Sequence, residues 1–127
     1  MCAAKSLPED LQVFLDGQTD SGSFHHADHV RMAFEILRRH DFPTAVHAYC
    51  SSLKKIAARA GRPAAYHETI TVAFLALVGE RLAECAYDDF AAFAAANPDL
   101  MEKAALEHHY APERIRSEIA RTTFVLP

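Results

Sequence analysis

The chain contains no tryptophan, only four glycines and only three cysteines. So few glycines beside 50% hydrophobic residues exclude a low-complexity or linker-like polypeptide. Cys2, Cys50 and Cys85 are odd in number and widely separated, which excludes a disulfide framework and the paired spacings of zinc sites or redox dithiols. Cys50 lies on an apolar stripe and reads most simply as a small core residue. No apolar run approaches the ~20 residues of a membrane span, so no membrane partner is expected. Met1-Cys2 lacks the charged-then-apolar preamble of a secretion signal, and the expected location is cytoplasmic. No charge sign dominates either. A formal charge of -4 gives no general attraction to nucleic acid or anionic lipid. The densest basic group, Lys54, Lys55, Arg59 and Arg62, reads as a solvated helix face.

What is present is helical periodicity. No convincing strand pattern occurs, so the expected class is all-α. Residues 1–127 form a single-domain helical bundle of six or seven helices, with residues 1–6 as a flexible N-terminus. Ser6-Leu7-Pro8-Glu9 reads as a capping box opening a short first helix that stops at Gly17. A second helix is predicted over about 25–40, and a third from Pro43-Thr44 to a C-cap at Gly61. The third carries the stripe Val46, Tyr49, Cys50, Leu53, Ile56, Ala57 and Ala60. A long fourth helix reaches about Ala86. A fifth, capped by Asp88, carries Phe90 and Phe93, and a sixth follows Asn97-Pro98 with Leu100, Met101 and Leu106. A seventh begins at Pro112 and contains Ile115 and Ile119. Short turns make helices two to four an up-down-up unit, in which helices two and four begin at the same end.

Two stretches place ionisable groups where hydrocarbon is expected. At ~100° per residue, His26 and His29 fall in the apolar half of the second helix, one turn apart. In the fourth, His67 shares a side with Ile70, Thr71 and Phe74, and Glu68 lies on the adjoining apolar side, leaving Thr69, Ala73 and Ala76 for water. Burying an imidazole or a carboxylate without a partner costs several kcal/mol, so partners are expected. The helix N-terminus favours a neutral His67 that can donate a lone pair. Connectivity puts His26, His29, His67 and Glu68 in one layer at one end of the bundle.

Three nitrogens and one carboxylate suit zinc, iron, manganese or nickel, with His26, His29 and His67 as ligands and Glu68 as ligand or catalytic base. Tyr66 and Thr71 are placed to support them from behind, although Thr71 can equally satisfy a carbonyl of its own helix. A structural network is the alternative, with Glu68 accepting hydrogen bonds from the histidines and locking helix two to helix four. A metal-free ligand or acid-base pocket is the third reading. His40 and His47 belong to the opposite end, and His108-His109 to a helix end. Arg81 is expected to snorkel to solvent.

The motifs Phe24-x-His26-x-x-His29, Tyr66-His67-Glu68-Thr69-Ile70-Thr71, Asn97-Pro98-Asp99-Leu100 and the closing Ala120-Arg121-Thr122-Thr123-Phe124-Val125-Leu126-Pro127 together resemble an uncharacterised group of small bacterial all-helical proteins. The resemblance covers roughly residues 23–127. It implies no activity, cofactor or partner, but marks His26, His29, His67 and Glu68 as the patterned positions. It also implies an acidic residue after Pro127, hence a shortened C-terminus. Two function classes stay open. One is a small metal-binding bundle or metalloenzyme acting on a small molecule. The other is a non-enzymatic interaction module in which the cluster is structural. The alanine-rich stretch 90–96 leaves a homo-oligomer open as well.

Overall fold

The computed structural model describes residues 7–127, and all regular structure among them is helical. Cys2, Ser6 of the predicted capping box and the flexible segment 1–6 lie outside the described residues. The α-helices are α1 (Glu9–Leu15), α2 (His26–Leu37), α3 (Phe42–Arg59), α4 (Glu68–Glu84), α5 (Phe90–Ala96), α6 (Pro112–Ile115) and α7 (Glu118–Thr122). Single 3-10 turns precede α2 and α4, and two more, Pro98–Met101 and Lys103–His108, follow α5. Among the described residues, no helix is long and apolar enough to cross a membrane.

The helix ends follow local chemistry. Asp41 caps α3 by accepting the Thr44 N–H at 3.0 Å, and Asp89, not the expected Asp88, caps α5 by accepting from Ala92 at 2.9 Å. At the far end of α3, Gly61 adopts φ +74°. Gly61 N–H then reaches Ala58 and Arg62 N–H reaches Ala57, the paired bonds of a Schellman stop. Gly17 ends α1 in the same way, with φ +71°. A Cβ at Gly17 would sit 2.5 Å from Lys55 Cβ, so the residue also allows α1 to approach α3.

Helices α2, α3 and α4 carry the core. Leu37, Phe42 and Gly79 meet at one end of the bundle, whereas His26 at the start of α2 packs on Phe74 of α4 at the other. The starts of α2 and α4 therefore share an end, as connectivity predicted. Phe34 on α2 takes Phe93 and Phe90 of α5 with ring centroids 5.1 and 5.7 Å apart.

The last third departs from its predicted helices. Extended backbone at Glu102 (φ -105°, ψ 134°) breaks the sixth into the two 3-10 turns. Ser117 turns extended and accepts the Ala120 N–H, splitting the seventh into α6 and α7. Each break returns the chain to the core and buries Leu100, Leu106, Tyr110 and Ala120. The final segment then lies along α4. Thr69 Oγ1 donates to the Thr123 carbonyl at 2.8 Å and accepts the Val125 N–H at 3.1 Å. Tyr110 donates to the Val125 carbonyl.

This return corrects three expectations. Thr69 and Ala73, assigned to water, are 0% and 8% exposed because the tail covers them. Ile70, assigned to the interior, is 39% exposed. Arg81 does not reach for solvent. It forks onto the Asp99 carboxylate at 2.7 and 3.1 Å and donates to Asn97 Oδ1 at 2.8 Å. Asn97, buried to 3% exposure, in turn donates to the Phe93 carbonyl, so the turn after α5 is clamped to α4.

Candidate functional site

His67 is the N-cap of α4. Its Nδ1 accepts the Ile70 N–H at 3.1 Å, so that nitrogen carries the lone pair. Nε2 must then hold the proton, which it donates to the Ile115 carbonyl at 2.8 Å. The ring is neutral and both nitrogens are engaged with backbone. The lone pair expected at this helix start is present and goes to the helix itself.

His26 lies in the first turn of α2. Its Nε2 is 3.0 Å from the Leu100 carbonyl, and a carbonyl only accepts, so Nε2 carries a proton. The ring stands edge-on to Phe74, 4.9 Å between centroids at 73°. One turn on, the His29 ring packs at 4.4 Å against Phe24. Burial, helped by the neighbouring His26 and Lys103 and opposed by Asp28, pushes the His29 pKa down to about 4. It is a neutral imidazole at pH 7. Its backbone carbonyl accepts the Tyr49 hydroxyl at 3.2 Å, and burial holds that phenol far above its ordinary pKa.

Glu68 accepts a 2.7 Å bond from the Tyr66 hydroxyl. Burial, the Cys50 thiol and the Glu68 carboxylate all raise the Tyr66 pKa, in that order of size. Burial likewise pushes the Cys50 thiol up, against the pull of Tyr66, so Cys50 rests as a thiol rather than a nucleophilic thiolate. Thr71 donates to the His67 carbonyl at 2.7 Å, bonding back within its own helix.

These residues surround one cavity of about 830 Å³ between the starts of α2 and α4 and the second half of α3. His26, His29, Tyr66, His67 and Thr71 all line it, whereas Glu68 does not. Tyr49, Leu53, Ile56, Ala57 and Ala60, read from the sequence as a core stripe of the third helix, form one wall. Val30, Ala33, Phe74 and Val78 form the other walls. Among the described residues no three His, Cys, Asp or Glu side chains are arranged to hold a metal ion. His40, His47, His108 and His109 are exposed and stand away from the cavity.

The sequence-level network had Glu68 as acceptor for the histidines. The acceptors found are instead the carbonyls of Leu100 and Ile115, delivered by the returning last third. Backbone groups carry no residue signature, so no motif could have named them. The place of Arg62 and Lys103 at the cavity was also missed, because Arg62 read as part of a solvated basic face, Lys103 carried no signal, and only the tertiary fold puts both on one cavity. No protein-family model, curated protein or solved structure matches the chain.

Proposed function

We propose that the protein binds a small, mostly apolar molecule in the cavity between α2, α3 and α4, with His26 and His29 holding the polar part of that molecule. The supporting observation is the cavity itself. Its volume of about 830 Å³ falls within the several-hundred to ~1,000 Å³ range of ligand pockets. Its lining has the matching composition, hydrocarbon walls with a few convergent polar groups.

The four patterned residues then divide their work. His67 serves the fold, since both its nitrogens are bonded to backbone. Glu68 fixes the orientation of Tyr66. His26 does both jobs, tying down Leu100 through Nε2 while its ring borders the cavity. His29 is neutral and its ring borders the same space. It offers a ligand one N–H or one lone pair without the cost of desolvating a charge.

Nile red titrated into purified protein tests this directly. Saturable, single-site emission enhancement is expected, and Ala33→Phe or Leu53→Trp, each of which fills the cavity from a different helix, should abolish it while the helical circular dichroism is kept. Enhancement that never saturates, or that persists in both filled variants, would sink the proposal.

A further inference from the structure

The cavity's charge differs from that of the molecule around it. The chain carries 17 acidic against 13 basic residues, yet among the described residues that line the cavity there is no Asp or Glu. Two carboxylates adjoining lining residues are bonded to other partners. Asp28 accepts the His25 N–H at 2.9 Å, and Glu68 accepts the Tyr66 hydroxyl. What the opening does present is cationic. Arg62, from the turn before α4, and Lys103, from the 3-10 turn over the start of α2, both border it and both are exposed. They arrive from segments far apart in sequence. Exposed His25 borders the same opening.

Beside these cations, the lining among the described residues is hydrocarbon with imidazoles and hydroxyls. Such a gradient, hydrocarbon below and positive charge at the rim, complements one type of small molecule. We infer that the ligand is an amphiphile with a single anionic head, its chain lying between Val30, Leu53 and Phe74 and its head at His26 and His29, under the charge of Lys103 and Arg62. It rests on the pocket proposed above and adds the sign of the head group. A neutral His29 fits the same picture, since burial depresses its protonation and an incoming anion would oppose that effect.

The experiment compares three probes of equal chain length, decanoate, decanol and decylamine, as competitors of bound Nile red. Decanoate should compete about tenfold more tightly than decanol, with decylamine weakest, and the advantage should shrink as salt is raised. The double variant Arg62→Ala/Lys103→Ala, which touches only exposed side chains, should bring decanoate to the level of decanol without weakening decanol. Equal or tighter competition by decanol overturns the anionic head, and a decanoate preference that survives the double variant overturns the part given to Lys103 and Arg62; either result leaves the pocket standing. Failure of Nile red to bind saturably overturns the pocket itself, and the two failures are therefore distinct.

Discussion

The Nε2–H of His67 donates to the carbonyl of Ile115, 48 positions further along the chain, at 2.8 Å, while the opposite ring nitrogen caps α4. A single imidazole thus starts one helix and fastens the last third of the molecule over it. His67→Ala removes both contacts. Loss of a cap costs about 1 kcal/mol, and loss of a buried bond to a carbonyl about 1–2 kcal/mol. The expected destabilisation is therefore about 2–3 kcal/mol in ligand-free protein, read by urea denaturation. His67→Asn keeps a capping acceptor and should lose only about half as much. An alanine variant as stable as the parent would show that the ring holds nothing.

Thr69 makes a second fastening. Its hydroxyl gives to Thr123 and takes from Val125 in the same buried spot. Thr69→Val keeps the shape and orphans both backbone groups, at about 1–3 kcal/mol for each group left unsatisfied. The Val125 amide should also exchange its hydrogen much faster than in the parent, and Thr69→Ser should restore most of the protection. Unchanged exchange in the valine variant would mean that the tail is held by other contacts.

The pH response of His29 has a definite sign. Its pKa is about 4 in the folded protein against an ordinary value of 6.5, so between those values the unfolded chain binds more protons. Stability rises with pH across this window. It is fully present above about pH 6.5 and is lost as the pH falls toward 4. A shift of this size corresponds to at most about 3 kcal/mol. His29→Phe should flatten that part of the profile, so the stability difference between parent and variant should change between pH 7 and pH 4. A difference independent of pH would mean that His29 is solvated.

Metal addition separates the cavity's two possible uses. An ion held by His26, His29 and His67 would require His67 to give up the Ile70 N–H, and Glu68 to leave Tyr66 if it joined. Chelation is therefore expected to leave the melting temperature unchanged, and stoichiometric zinc, iron, manganese or nickel to shift it by less than about 2 °C. A rise of several degrees that His26→Ala and His29→Ala each abolish would establish instead that the rings rotate to ligate an ion.

The sequence by itself determined the all-helical class, most helix starts and stops, and the end of the bundle at which His26, His29 and His67 gather. Those follow from signals local to a few residues: Gly17 and Gly61 as helix stops, Pro43-Thr44 as a helix start, and apolar positions repeating at the helical period. Only the tertiary structure decided what the imidazoles bond to. Glu68 was the acceptor with a visible side chain, yet the carbonyls of Leu100 and Ile115 took that place. It likewise decided that the Tyr49, Leu53 and Ile56 stripe lines a cavity and that Thr69 is buried rather than wet. The physical reason is common to all of these. Every residue carries the same carbonyl and amide, so which one arrives at a given side chain depends on how the whole chain closes on itself, and no residue name records it.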